Sequence, residues 1–153
     1  MKHLIIALLA VLALNTAQAG TDVDGLIVKP SKYSVNETID RLEAALQKKG
    51  ITIVVRWNHS KKANAVGIPL RPTELLIFGN PKLGSKFFTS EQTSGIDLPM
   101  KALAWEDASG KVWLGYNDPQ YIANRHHITN RPEVVKKMTG ALNKMTNIAT
   151  GAE

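Results

Sequence analysis

The sequence predicts an α+β fold: an antiparallel sheet with helices packed on one face, in the order β-α-β-β-β-β-α. Three observations predict it. Two amphipathic stretches of helical period, Val35 to Leu46 and Val134 to Ile148, lie towards the two ends of the chain. Short β-branched or apolar runs fill the middle. The turn Asp107-Ala108-Ser109-Gly110 joins two of those runs as a hairpin. Consecutive strands flanked by long helices form a layered α+β domain.

The elements follow in order. Asp22 to Lys29 reads as a first strand, closed by Pro30. Ser34 and Glu37 fit a capping box, so a helix starts at Val35. Val35, Ile39, Leu42 and Leu46 form its apolar stripe, and Gly50 supplies a left-handed cap. Ile51 to Trp57 alternates as a strand, with Ile51, Ile53, Val55 and Trp57 on one face. Residues 60–66 make a short helix stopped by Gly67, and Glu74 to Phe78 is an interior strand. Residues 82–97 carry no clear period beyond a helical turn near Lys86 to Ser90. Met100 to Glu106 and Lys111 to Tyr116 are the hairpin strands. Asp118 and Pro119 start one helix as cap and first residue. Asn130, Pro132 and Glu133 start the last, about 131–148, whose buried face is Val134, Met138, Ala141, Met145 and Ile148. Its tail from Thr150 is expected to fray.

Residues 1–19 read as a signal peptide. Lys2 gives a positive start, Leu4 to Leu14 an apolar core, and Ala17-Gln18-Ala19 a small-x-small cleavage site before Gly20. An apolar run this short does not span a membrane, which takes about 20 residues. No cysteine follows it, so no lipid anchor is expected. The expectation is a periplasmic or secreted protein with no stable membrane anchor. Residues 20–153 then form a single α+β domain. That domain contains no cysteine, so core packing alone must hold it and thiol chemistry is excluded.

The formal net charge is +6. The basic residues are spread along the chain with no run longer than a pair, so no nucleic-acid partner is expected. Gly79 to Lys86, G-N-P-K-L-G-S-K, approaches a phosphate loop but has Ser and Lys in the wrong order. No metal or other cofactor is expected. A metal site would need His59, one of His126 and His127, and a carboxylate such as Asp118, and ligand spacing is missing. There is no G-x-S-x-G elbow.

Aromatic residues beside polar strand ends suggest a ligand pocket. The candidate ligand-binding residues are His59, Asn80, Lys101, Trp105, Tyr116, Asn117 and Asp118. The leading expectation is a non-catalytic domain that binds or senses a small molecule. One alternative is an enzyme of unknown class, with His59 or His126 as general base, Lys101 as electrostatic stabiliser and Asp118 as orienter. The other is a structural or partner-binding protein that uses an aromatic strand face.

Four phrases carry a family resemblance: Leu70 to Pro81 (LRPTELLIFGNP), Asp97 to Lys101 (DLPMK), Asp107 to Trp113 (DASGKVW) and Tyr116 to Tyr121 (YNDPQY). Together, from about Val35 to His127, the chain resembles the bacterial family catalogued as domain of unknown function 302. The resemblance implies a compact α+β domain, similar in topology to the TATA-binding-protein-like fold, that forms a homodimer. It implies no catalytic residues.

Overall fold

The structure, a computed structural model, describes residues 23–152. The signal-peptide reading lies outside those residues. Strand β1 (Leu26–Ser31) leads into helix α1 (Val35–Lys48), β2 (Thr52–Asn58), α2 (His59–Ala65) and β3 (Thr73–Gly79). Helix α3 (Pro81–Phe88) and a 3-10 segment (Gln92–Ile96) precede the hairpin of β4 (Met100–Glu106) and β5 (Val112–Asn117). Helices α4 (Pro119–Arg125) and α5 (Pro132–Thr150) complete the chain. The five strands form one antiparallel sheet in the order β1-β5-β4-β3-β2. The expected α+β class is therefore observed.

Local signals explain most boundaries. Ser34 accepts a hydrogen bond from Glu37 N at 3.2 Å, which satisfies an orphan donor at the start of α1. Gly50 follows that helix at φ +66°, a conformation open to glycine. Asp118 caps α4 through Gln120 N at 2.9 Å, with Pro119 as first helical residue. In the hairpin, Asp107 Oδ1 accepts from Ser109 N and Lys111 N.

Helices α1 and α5 cover one face of the sheet. Ile39 and Leu42 of α1 and Leu114 of β5 are fully buried there. Each such side chain contributes roughly 1.5–3 kcal/mol. Lys29 ties β1 to α5, donating from Nζ to Asn143 Oδ1 at 2.6 Å and Thr146 Oγ1 at 2.9 Å.

The structure differs from the sequence reading at five places. Pro30 lies inside β1, opposite Trp113; β1 is an edge strand, so the donor that proline lacks leaves no ladder bond unmade. In β2, Ile53 pairs with Phe78 and Val55 with Ile77, which leaves Val54 as an extra residue. This bulge breaks the expected face. Ile53 stays on the helix side, Val55 and Trp57 turn to the other, and Arg56 replaces them beneath α1. There Arg56 pairs with buried Glu74 and with Asp40 of α1, both at 2.5 Å. Residues 82–97 hold α3 and the 3-10 segment, started by the Asn80 and Glu91 side chains. On α5, Ile148 is exposed and Leu142 and Ala149 are buried in its place. The tail does not fray: Thr150 is fully buried, and its carbonyl accepts from Lys32 N at 3.0 Å.

Candidate functional site

A cavity of about 290 Å³ opens on the helix side, at the end of the sheet where β3 stops and β2 and β4 start. Its walls come from five segments. Leu46 ends the apolar stripe of α1, and Ile51 leads into β2. Phe78 to Pro81 carry β3 into α3, which adds Leu83 and Phe88. Leu98 to Met100 lead into β4, and Met138, Leu142 and Met145 face inward from α5. The polar side chains at this lining are Thr52, Asn80 and Ser85. Helix α3 acts as a lid over the strand ends. Arg131, just before α5, holds it by donating from Nε to Lys86 O at 3.1 Å and to Ser90 Oγ at 2.9 Å.

The sequence-predicted residues divide around this cavity. Asn80 lines it and caps α3, accepting from Lys82 N at 3.0 Å. Lys101, Asn117 and Asp118 lie at the same end of the sheet but not on the lining. Lys101 Nζ donates to the carbonyls of Asp97 and Pro99. Asn117 pairs with Leu26, and Asp118 caps α4. Tyr116 is buried under α5, where burial raises its phenol pKa. His59 begins α2 after the far end of β2, and Trp105 lies at that far end on the uncovered face. A strand of this length spans roughly 20 Å, so His59 and Lys101 sit at opposite ends. The seven residues do not form one cluster.

The sequence reading missed a second constellation near Lys101. His126 is buried at the end of α4, with Nε2 2.7 Å from Asp97 Oδ2 and Nδ1 3.0 Å from Thr93 Oγ1. A carboxylate only accepts, so Nε2 carries the proton. Arg125 adds a bond from NH1 to Asp97 Oδ1 at 3.2 Å. Thr93 Oγ1 also reaches Glu91 Oε1 at 3.1 Å, and the Thr93 amide and hydroxyl together lower the Glu91 pKa. The order hydroxyl, imidazole, carboxylate could relay a proton. Neither this cavity nor a second one on the uncovered face is lined by His126, Asp97 or Thr93. The set is a latch that fixes the 3-10 segment against α4. Of the four residues in the enzyme alternative, Lys101 and His126 meet at Asp97; Asp118 and His59 are elsewhere. Among the described residues no group of three His, Cys, Asp or Glu side chains could hold a metal ion.

Among the described residues, neither α1 nor α5 covers the other face of the sheet. One cross-strand row runs Val28, Gly115, Leu103, Leu75, Trp57 across all five strands. Trp105 and Trp113 pair directly beside it. A Cβ at Gly115 would meet the Trp105 ring at 3.0 Å, so glycine is what lets that ring lie over the strand.

Residues 27–145 match the family model described as "Domain of unknown function DUF302". The chain belongs to this family. The matched span extends beyond the quoted motifs at both ends, taking in β1 and most of α5. A crystal structure of uncharacterized conserved protein DUF302 from Bacillus stearothermophilus has the same fold. The TM-score is 0.74 at 19% identity, over 83% of this chain and 99% of that one. The fluoride-specific ion channel FluC 1 of Brucella suis biovar 1 (strain 1330) is 43% identical over 128 residues, 83% of this chain and 50% of that protein. FluC 1 of Brucella abortus biovar 1 (strain 9-941) is also 43% identical over 128 residues, with 47% of its length covered. The chain thus spans about half the length of these curated relatives. Among the described residues no helix is long and apolar enough to cross a membrane.

Proposed function

We propose that this DUF302 domain binds a small, largely apolar molecule in the cavity beneath α3. The cavity itself carries the reading. It is an open cleft of about 290 Å³ whose walls are aliphatic, thioether and aromatic side chains. Ligand sites are concave, mostly apolar and fitted with few polar groups, as here with Asn80 at the rim. The three methionines of the wall, Met100, Met138 and Met145, can repack around different shapes. Calorimetry with decanol as probe should show one saturable site, with a negative heat-capacity change. Ala141→Trp places an indole in the cavity and should abolish that binding. Absence of saturable heat with the intact chain would overturn the reading.

The uncovered sheet face supports a second role. We propose that two chains pair through it as a homodimer, because one apolar row crosses all five strands, half-buried at Val28, Leu103 and Leu75 and exposed at Trp57. A mass of one chain by light scattering at high concentration would end that proposal. With the short helices set aside, the element order supports a likeness to the TATA-binding-protein topology, which brings no DNA binding with it.

Lys2, the Leu4 to Leu14 run and Ala17-Gln18-Ala19 support export with cleavage before Gly20. N-terminal sequencing of the exported protein should return Gly20; recovery of Met1 would refute it. The Brucella relatives bear the name fluoride-specific ion channel. We propose that the half they share with this chain is a binding domain joined to such a channel and is not its conducting part. Vesicles reconstituted with this chain alone should then show no fluoride efflux.

A further inference from the structure

We propose that the cavity selects amphipathic anions, medium-chain carboxylates above all, with the hydrocarbon inside and the carboxylate at a rim of lysines. The inference rests on the reading of the cavity as a small-ligand site and adds the chemical class of its ligand.

The wall segments carry the lysines. Lys48 and Lys49 immediately precede the turn into Ile51 and Thr52. Lys82 and Lys86 sit on α3, between the lining residues Pro81, Leu83, Ser85 and Phe88. Lys137 and Lys144 flank Ala141 of the lining along α5, one turn on either side. All six are exposed, and among the described residues none makes an ion pair.

Carboxylates do not offset them. Helix α3 has no acidic residue, and α5 has only Glu133 in its first turn. Of the acidic groups on adjoining segments, Glu43 faces Arg56 at 3.6 Å, Asp97 holds Arg125 and His126, and Glu91, after α3, accepts from Thr93. The formal charge of the whole chain is +6. Six of the chain's 19 lysine and arginine residues lie on three wall segments. These six, far apart in the sequence, thus lie on elements around one apolar opening. An apolar wall alone does not distinguish an alcohol from an acid of equal length; a lysine rim does, through a salt-screened attraction.

Calorimetry on the intact chain, with decanoate, octanoate and decanol as probes, separates the two claims. At low salt and neutral pH, decanoate should bind at least about tenfold more tightly than decanol, an advantage lost at high salt. Octanoate should bind about fifteenfold more weakly than decanoate, for two methylenes not buried. Lys82→Glu with Lys86→Glu, both exposed, should remove the preference for decanoate and leave decanol binding unchanged. Equal, salt-insensitive binding of decanoate and decanol would overturn the inference while leaving the cavity reading intact. Failure of both probes would remove the cavity reading itself. Phosphatidylglycerol vesicles are the remaining arm: binding to them that decanoate does not displace would make the rim a membrane-facing surface and overturn the inference.

Discussion

On the helix side of the sheet, side chains from α1 and α5 close over Ile39, Leu42 and Leu114 and leave one cavity at the strand ends. On the opposite side, Leu75, Leu103 and Trp105 lie on the sheet face that, among the described residues, neither α1 nor α5 covers. Both regions are apolar, yet their shapes differ. The cavity is concave and walled by methionines and leucines, on segments that also carry lysines. The open face is broad and anchored by tryptophans, two of which stack with lysines: Lys62 over Trp57 at 5.1 Å and Lys111 over Trp113 at 3.9 Å. The cavity under the helices is almost wholly apolar, which suits a small apolar guest. The one on the open face also takes in Arg71, Thr73 and Glu106 and sits on a broad surface that only a large partner can shield from water. The two proposals place the ligand on one face and the second chain on the other.

The largest effect that could break this contrast is expected from Leu75→Glu. Leu75 sits mid-row on the open face, between Trp57 and Leu103. A carboxylate there would be desolvated without a partner on pairing, so dimerisation should weaken at least about a hundredfold. Light scattering should report the mass of one chain, while decanol binding stays as in the parent. If dimer and ligand site are lost together, the two faces are not separate.

Gly115→Val should act next most strongly. The new side chain would press on Trp105, whose Cζ3 and Cη2 atoms lie 3.0 and 3.2 Å from the first added carbon. Overpacking of this kind costs about 1–3 kcal/mol and should lower the thermal midpoint by several degrees. Because Gly115 projects away from the helices, the cavity should keep its decanol affinity. An unchanged midpoint would show that Trp105 is not packed in place.

How far these regions were legible in the sequence follows from the range of the signals. The Ser34 cap, the Asp107 turn and the Asp118-Pro119 start act within a few residues, and each element formed where its signal lay. The bulge at Val54 has no such local mark, so alternation put Arg56 on the wrong side. The pocket wall was hidden for another reason. Leu46, Met138 and Met145 have the spacing of ordinary core residues, and a stripe that faces a void looks the same as one that faces a neighbour. His126, Asp97 and Thr93 are joined over about thirty residues of chain, beyond any motif spacing. Asn80 was legible because one side chain both caps α3 and meets the cavity.

The smallest expected effect is a pH dependence confined to the open face. Asp107 accepts from Ser109 Oγ at 2.6 Å and from Trp113 Nε1 at 2.8 Å. These bonds, with the Lys111 and Ser109 amides, hold its carboxyl well below the ordinary carboxylate range. The unfolded chain titrates near ~3.9, so the unfolded state takes up the proton first as pH falls. The contribution of Asp107 is therefore complete above that value and lost as pH drops towards the depressed folded pKa. Asp107→Asn should lower the thermal midpoint at neutral pH, and the gap between variant and parent should shrink on acidification to about pH 2. Trp113 fluorescence should shift over the same range as its indole loses a charged acceptor. The cavity lining contains no titratable side chain, so decanol affinity should stay level until the fold is lost. A gap between variant and parent that persists undiminished in acid would show that Asp107 acts through its shape and not its charge.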